Sequence, residues 1–246
     1  MRFARLVPFL ALCFAAPLAA AGADPYFASY HPREVTTTGG LGLPYRLYRP
    51  AGAAKGSLPL LLLLHSITER GSDNLRPYKF FRPFLNDTFY SRHACAIAMP
   101  QCPEFKFWWQ KTPMDCLEAL VPGLVAECPE IDPKRVYVVG TSLGGYAVYA
   151  LLSRDAGMFS AAVSMSGDPR PARLDGALLK DFPLWIFHGS KDRRVPVEGD
   201  RELYEQLKYL DKNAKYTEIP GAGHVIWPEI LLKGDMWDWL FAQSKP

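Results

Sequence analysis

Hydrophobic residues along this chain cluster in short, almost unbroken runs instead of alternating with polar ones. Polar stretches separate these runs from one another. Strands covered by helices on both faces of a sheet need such continuous hydrophobicity. The pattern therefore predicts five buried strands, at Leu58–Leu64, Ala94–Met99, Val136–Gly140, Ala161–Met165 and Leu184–Phe187.

The stretches between these runs predict helices, at Met114–Ala126, Tyr146–Ser153 and Gly199–Leu210. Alternating strands and helices indicate an α/β fold with a mostly parallel central sheet flanked by helices. Upstream, Val35–Thr38 and Tyr45–Tyr48 predict two antiparallel strands around a Gly39-Gly40 turn. No repeat or linker divides residues 24–246, which we expect to form a single domain without a large cap.

The first 23 residues have the pattern of a secretory signal peptide. Arg2 and Arg5 precede a short apolar run, Leu6–Leu18, and residues 19–23 offer small side chains for cleavage. An uncleaved anchor and a lipidated Cys13 are the alternatives. We therefore expect a protein that is secreted or periplasmic.

Charge and composition exclude several classes of function. Without Arg2 and Arg5, 26 of the 28 basic residues remain against 25 acidic ones, so no basic excess attracts nucleic acid. No later segment approaches 18 apolar residues, so we expect no membrane span. The spacing of cysteine and histidine supports no zinc site, and we expect neither a metal nor another cofactor. The oligomeric state stays open.

Chemically suggestive residues follow the predicted strands. The stretches that follow four of the runs are His65-Ser66, Gln101-Cys102-Pro103, Thr141-Ser142 and His188-Gly189. Because ligands bind at the carboxyl ends of parallel strands, we expect the active site at this edge.

The stretch "VYVVGTSLGGY", residues 136–146, carries the most specific signal. It places Gly140-x-Ser142-x-Gly144 between a buried strand and a helix, which is typical of a strained turn that exposes a nucleophilic serine. A serine needs a histidine base and an orienting acid. His224 lies downstream in its own loop, and Asp192 is the favoured acid over its two competitors, Asp168 and Asp200.

These residues resemble an α/β-hydrolase of the secreted esterase and predicted-peptidase kind. The matching stretches span about residues 58–230, and the chain is similar to polyhydroxybutyrate depolymerases, feruloyl esterases and dienelactone hydrolases. The resemblance implies that Ser142 is the nucleophile, His224 the general base and Asp192 its orienter. It also implies that the backbone N–H groups of Leu143 and Ile67 form the oxyanion hole. Dienelactone hydrolases usually carry cysteine at the nucleophile, so serine here favours ester substrates.

Ser66 stands where such a loop usually has glycine. Its hydroxyl either turns inward to donate to the oxyanion or hydrogen-bonds its own loop, and we favour the loop bond. Trp108, Trp109 and Trp227 either bind substrate or pack their loops. Glu69 and Arg70, beside the same loop, either form an ion pair or contact the substrate, and we favour the ion pair.

The gap at residues 167–182 is too short for a lid, which predicts an open site for bulky or polymer-linked esters. The favoured function is therefore a serine carboxylesterase that forms an acyl-enzyme. A serine peptidase and a catalytically inactive binding protein on the same fold are the alternatives.

Four cysteines remain after cleavage at residues 19–23. In an exported protein an even number suggests disulfides. The predicted positions of the elements favour Cys102–Cys116 first and Cys95–Cys128 second. Four buried thiols are the alternative.

Overall fold

The computed structural model describes residues 24–37, 42–210 and 213–246. Eight strands form one sheet in the order β1-β2-β4-β3-β5-β6-β7-β8. The strands are β1 Tyr30–Thr36, β2 Gly42–Tyr48, β3 Leu58–Leu64, β4 Ala96–Pro100, β5 Ile131–Thr141, β6 Ala161–Met165, β7 Leu184–Gly189 and β8 Lys215–Ile219. The α-helices are α1 Arg76–Phe81, α2 Asp87–Arg92, α3 Lys111–Glu127, α4 Leu143–Asp155, α5 Glu198–Leu210, α6 Trp227–Lys233 and α7 Asp235–Phe241.

All five strands that the apolar runs predict are present. β3 and β6 have the predicted bounds, and the other three differ by one to a few residues. β3 shows why the runs are unbroken. Leu60, Leu62 and Leu64 belong to the hydrophobic cluster that includes residues of α3, α4 and α5, whereas Leu61 and Leu63 belong to the cluster that includes residues of α1, α2, α6 and α7. All five leucines are fully buried, and each such side chain contributes roughly 1.5–3 kcal/mol.

The N-terminal strands are antiparallel, as predicted, but longer. β1 pairs with β2 from Tyr30↔Tyr48 to Thr36↔Gly42, and β2 then pairs antiparallel with β4. The predicted Gly39-Gly40 turn and the predicted signal peptide lie outside the described residues. Within the described residues no helix is both long and apolar enough to cross a membrane.

The sequence pattern did not predict β8, which lies at the edge of the sheet. Its side chains are only half-buried or exposed, and its sequence, Lys-Tyr-Thr-Glu-Ile, lacks a continuous apolar run. The short helices α1, α2, α6 and α7 were also not predicted, because none is longer than seven residues. They cover one face of the sheet, as the unbroken strands require.

The disulfide predictions are wrong for the described residues. Cys95, Cys102, Cys116 and Cys128 are buried, and no bond joins any two of them. Cys95 packs on the face covered by α1, α2, α6 and α7, whereas Cys128 packs on the opposite face. The sheet therefore separates the members of the second predicted pair.

The first predicted pair fails for a different reason. Cys102 and Cys116 share a face of the sheet, but their surroundings differ. The thiol of Cys116 hydrogen-bonds to Thr37, just beyond the end of β1, whereas the backbone N–H of Cys102 donates to the ring of His65. Burial raises the pKa of the Cys102 thiol to about 12, so it stays protonated.

Candidate active site

The carboxyl ends of the parallel strands bring the predicted site residues to one edge of the sheet. His65 follows β3, Ser142 follows β5, and Asp192 follows β7. His224 comes from the loop between β8 and α6. Because β3, β5, β6, β7 and β8 are neighbours and run parallel, these segments meet above the centre of the sheet.

Ser142 lies in a strained turn between β5 and α4. Its φ is +52° and its ψ is −113°, in a region that residues other than glycine rarely occupy. A hydrogen bond of 2.8 Å from its N–H to the carbonyl of Met165 holds the turn on the end of β6. The strain is typical of a nucleophile held above a sheet.

The flanking glycines are required by close contacts of the backbone. A Cβ on Gly140 would lie 2.1 Å from the carbonyl oxygen of Gly144. A Cβ on Gly144 would lie 1.9 Å from the carbonyl oxygen of Leu64 in β3. Real Cβ atoms do not approach so closely, so only glycine lets the start of α4 pack on the sheet.

A continuous hydrogen-bond chain joins the three residues of the predicted triad. The Oγ of Ser142 lies 2.8 Å from Nε2 of His224, and Nδ1 of His224 lies 2.7 Å from Oδ2 of Asp192. The network assigns the hydrogen to Nδ1, because Asp192 only accepts, and leaves Nε2 free to accept from the serine hydroxyl. The imidazole is therefore oriented to take the proton from Ser142.

The two competing acids have other partners. Asp168 accepts from the guanidinium of Arg170, with a shortest distance of 2.7 Å. Asp200 contacts His188, 2.6 Å from its Nδ1. Neither carboxylate contacts His224 by a hydrogen bond, so the geometry brings only Asp192 to the base.

Backbone donors hold the Asp192 carboxylate in its ionised form. Its Oδ1 accepts from the N–H groups of Arg194 and Val195 at 2.8 and 3.0 Å. Burial would raise the pKa of Asp192, but these bonds and the bond from His224 outweigh it and lower the pKa below its ordinary value. The carboxylate therefore stays charged at neutral pH.

The loop that carries His224 is fixed to the ends of β6 and β7. The hydroxyl of Ser166 donates to the carbonyl of His224 at 2.9 Å. A Cβ on Gly189 would lie 2.1 Å from the carbonyl oxygen of Gly223, so the loop packs directly on the end of β7. Trp227 packs edge-on against the imidazole with centroids 5.7 Å apart. Trp227 is buried and supports the base instead of offering a free surface to substrate.

His65 fixes the loop after β3. Its Nδ1 lies 2.5 Å from the carbonyl oxygen of Ser66, and its Nε2 accepts from the N–H of Cys102 at 2.9 Å. Burial lowers the pKa of His65 to about 4, so the ring is neutral and carries its hydrogen on Nδ1. In a trans peptide the C=O and the next N–H point in opposite directions. The N–H of Ile67 therefore points away from His65.

The two predicted oxyanion donors are both at the start of a helical turn. Ile67 begins the 3₁₀ turn Ile67–Glu69, and Leu143 begins α4. The first N–H groups of a helix have no partner within it, which leaves them available to an anion. The contact of Gly144 with Leu64 brings the start of α4 against the end of β3, from which the other loop emerges.

Ser66 does not form the loop bond that we favoured. Its side chain is buried but makes no capping hydrogen bond to the turn that follows. Its φ of −73° and ψ of 179° are ordinary extended values that any residue adopts. The backbone of this loop therefore does not require glycine at Ser66.

The paired tryptophans have different roles. Trp108 is fully buried, and its indole N–H donates to the carbonyl of His65 at 3.4 Å, so it packs the loop. Trp109 is 37% exposed and stacks on Phe107 with centroids 4.9 Å apart. Its other neighbour is Tyr146, at 5.2 Å. We call Phe107, Trp109 and Tyr146 the aromatic surface.

Sequence reasoning missed Phe107 and Tyr146. Tyr146 lies four residues after Ser142 on α4, and this spacing places both on one side of the helix. That spacing was the signal available in the sequence. Burial raises the pKa of Tyr146 to about 12, so its phenol is a neutral hydrogen-bond donor at the site.

The predicted ion pair between Glu69 and Arg70 is not formed. The guanidinium of Arg70 donates to the carbonyls of Ile67 and Lys106 at 3.2 and 3.1 Å. It also lies over the ring of Phe107, 5.3 Å from the centroid. Arg70 therefore ties the loop after β3 to the aromatic surface through carbonyls instead of through a carboxylate.

Within the described residues, no group of His, Cys, Asp or Glu side chains has the arrangement of a metal site.

This arrangement has counterparts in known sequences. The sequence model of the dienelactone hydrolase family matches residues 104–227. An uncharacterized peptidase of Bacillus subtilis (strain 168), YuxL, is 27% identical over 142 residues. That match covers 45% of this chain and 21% of the peptidase, so this chain spans about a fifth of that relative.

Solved structures of esterases share the fold. A thermostable esterase superposes with a TM-score of 0.80 at 26% identity, over 89% of this chain and 64% of that protein. An esterase of Pyrococcus furiosus superposes with a TM-score of 0.65 at 18% identity, over 93% and 99% of the two chains. The second likeness concerns the fold alone. The architecture, with its antiparallel N-terminal strands, is the α/β-hydrolase fold.

Proposed function

Because this chain belongs to the dienelactone hydrolase family, we propose that it is a serine carboxylesterase that hydrolyses esters through an acyl-enzyme intermediate. The observation that carries the proposal is the chain of two hydrogen bonds, 2.8 and 2.7 Å long, from Ser142 through His224 to Asp192. Its nucleophile is a serine held in a strained turn, and an ionised acid lies behind the base.

In the proposed reaction, His224 takes the hydroxyl proton of Ser142 while Oγ attacks the ester carbonyl. The N–H groups of Ile67 and Leu143 donate to the oxyanion of the tetrahedral intermediate. The intermediate collapses as the imidazolium gives its proton to the leaving alcohol. Water, deprotonated by the same histidine, then attacks the acyl-enzyme, and the carboxylic acid leaves with Ser142 restored.

The surroundings of the site favour a bulky or polymer-linked ester. Residues 167–182 contain only two short 3₁₀ turns, Arg170–Ala172 and Gly176–Leu179, and no lid. The aromatic surface begins one helical turn from Ser142 and presents the part-exposed ring of Trp109. A flat aromatic or sugar group of the substrate can stack there.

A serine peptidase is the second candidate. The similarity of this chain to a Bacillus subtilis protein called a peptidase favours this alternative. The catalytic residues would be the same, so the substrate decides between the two. We expect hydrolysis of nitrophenyl esters without cleavage of aminoacyl nitroanilides. Cleavage of the anilides at comparable kcat/KM would favour the peptidase.

Covalent labelling tests whether Ser142 is a nucleophile. An alkyl fluorophosphonate should label the wild-type protein and should not label Ser142→Ala. A wild-type protein that folds but is neither labelled nor active on acetyl, butyryl, feruloyl or hydroxybutyryl esters would refute the esterase. That result would favour the inactive binding protein.

We also propose that the protein is exported to the periplasm or the medium. The support is the pattern of residues 1–23, in which an apolar run follows Arg2 and Arg5. N-terminal sequencing of the protein from its native cells should begin at about residue 22–24. Recovery of an intact Met1 in the cytoplasmic fraction would contradict export.

A further inference from the structure

A fully buried polar cluster lies behind the triad and takes no part in the proposed reaction steps. Tyr149 from α4, His188 from β7 and Asp200 from α5 are each 0% exposed. Burying three such polar groups is costly unless each is hydrogen-bonded. Their partners therefore indicate what the cluster does.

The cluster forms a chain that ends at the catalytic acid. The phenol of Tyr149 donates to Oδ1 of Asp200, whose Oδ2 lies 2.6 Å from Nδ1 of His188. On the other side of the ring, Nε2 of His188 lies 3.0 Å from the carbonyl oxygen of Val195 and 3.3 Å from Oδ2 of Asp192. Both neighbours of Nε2 only accept, so Nε2 carries a hydrogen. It donates this hydrogen to the carbonyl of Val195, and the ring lies at ion-pair distance from Asp192.

The rings of two histidines therefore lie next to the same carboxylate oxygen of Asp192. The Oδ2 of Asp192 accepts from Nδ1 of His224 at 2.7 Å and faces Nε2 of His188 at 3.3 Å. Its other oxygen is held by the backbone N–H groups of residues 194 and 195. The carboxylate therefore accepts hydrogen bonds on two sides and has the ring of His188 on a third.

We propose that His188, oriented by Asp200 and Tyr149, is a positioning residue that holds the carboxylate of Asp192 toward His224. The inference rests on the esterase function proposed above. His188 touches no reacting atom and acts through Asp192. Its role explains why a second histidine and a second aspartate are buried so close to the triad.

The charges around His188 set the direction of its effect. Asp192 contacts His188 from the loop after β7, and Asp200 contacts it from α5, with Tyr149 of α4 next to Asp200. Glu218 lies beside His188 in the register of β8 with β7. Burial would lower the pKa of His188, but the hydrogen bond to Asp200 and its charge raise the pKa above its ordinary value. The positive charge of the protonated His188 ring, 3.3 Å from Oδ2, offsets part of the negative charge of Asp192. Without it, Asp192 would hold a protonated His224 more strongly.

The substitution His188→Leu removes the ring that contacts Oδ2 of Asp192. We expect kcat to fall on the order of 10- to 10²-fold with KM unchanged, because a small misplacement of a catalytic group has about this effect. We also expect the acid limb of the pH–rate profile to move to higher pH, which a merely structural role would not cause. His188→Gln keeps an N–H near the position of Nε2 and should restore most of kcat and the acid limb.

A matched pair of tyrosines supplies a milder test if His188→Leu does not fold. Tyr149→Phe removes the hydroxyl that orients Asp200, whereas Tyr137→Phe removes a hydroxyl that donates to the carbonyl of Gln243 at 2.6 Å, away from the site. Tyr149→Phe should shift the acid limb in the same direction by a smaller amount. Tyr137→Phe should lower only the melting temperature.

The rate of fluorophosphonate labelling across pH is the readout, since it needs no knowledge of the natural ester. Suppose that the wild-type protein is labelled, and that the His188→Leu or Tyr149→Phe variant folds but has the same pH profile as Tyr137→Phe. That result overturns the positioning role and leaves the proposed esterase function intact. Absence of labelling in the wild type overturns the esterase itself. A shifted acid limb that His188→Gln restores supports the proposal.

Discussion

Replacing Asp192 by asparagine tests the acid assignment most directly, because the change alters one atom of the carboxylate. Oδ1 can still accept from the N–H groups of Arg194 and Val195 at 2.8 and 3.0 Å. The amide nitrogen then takes the place of Oδ2, 2.7 Å from Nδ1 of His224. Two donors now face each other, so the imidazole must move its hydrogen from Nδ1 to Nε2.

The change of tautomer leaves Ser142 without a base. With hydrogen on Nε2, the ring faces Oγ at 2.8 Å as a donor and has no lone pair to take the hydroxyl proton. Loss of the correct tautomer costs about 10⁴-fold in kcat, which corresponds to about 5 kcal/mol of transition-state stabilisation. The melting temperature should change little, because the backbone bonds and the packing persist.

The assay is kcat and KM on one nitrophenyl ester, with Asp168→Asn as the matched control. Asp168 is paired with Arg170 and not with the base, so this variant should keep a rate near that of wild type. An Asp192→Asn protein that retains more than about a tenth of wild-type kcat would refute the assignment, since the wrong tautomer cannot support that rate.

Four further outcomes follow from the contacts. Gly144→Ala should abolish folding or strongly lower the melting temperature, because its Cβ would lie 1.9 Å from a carbonyl of β3, whereas Gly123→Ala, with nothing within 4 Å, should raise stability by up to about 1 kcal/mol. Trp109→Ala should raise KM for aromatic esters more than for acetyl esters, measured by steady-state kinetics. The pKa of His65 falls from 6.5 to about 4 on folding, so between these pH values the unfolded chain binds one more proton than the folded protein. The free energy of unfolding should therefore be greatest above about pH 6.5 and decrease by about 3 kcal/mol toward pH 4, which urea titrations at several pH values would measure. Ser66→Ala should leave the melting temperature unchanged, since no loop bond is lost, and a drop in kcat of about 10²-fold would then assign the hydroxyl to the oxyanion.

The sheet could be predicted because its strands carry their own signal. The leucines of β3 are buried on both faces, so every position is apolar and the run marks the strand without outside information. The edge strand β8 lacks this signal, because neighbours cover only part of it. The cysteine pairing failed for a related reason. Cys95 and Cys128 could form a disulfide only if they lay on the same face of the sheet. Their separation along the chain does not reveal which face each of them occupies.

The triad could be assigned from order along the chain, but its surroundings could not. Asp192 and Asp200 both follow the same strand, and only the structure shows that one reaches His224 while the other reaches His188. The aromatic surface was missed because Phe107 and Tyr146 come from separate elements. Their contact through Trp109 is a tertiary one that no local pattern records.

The loop after β3 shows how a site can depart from the usual residue and keep its geometry. Glycine is needed where the backbone takes a positive φ or where a Cβ would collide. Ser66 has a φ of −73°, so the first requirement is absent. The direction of the Ile67 N–H is set instead by His65, whose Nδ1 holds the preceding carbonyl and whose Nε2 is anchored on the N–H of Cys102. Because a buried, neutral ring aims the peptide, the residue between ring and donor is free to carry a side chain.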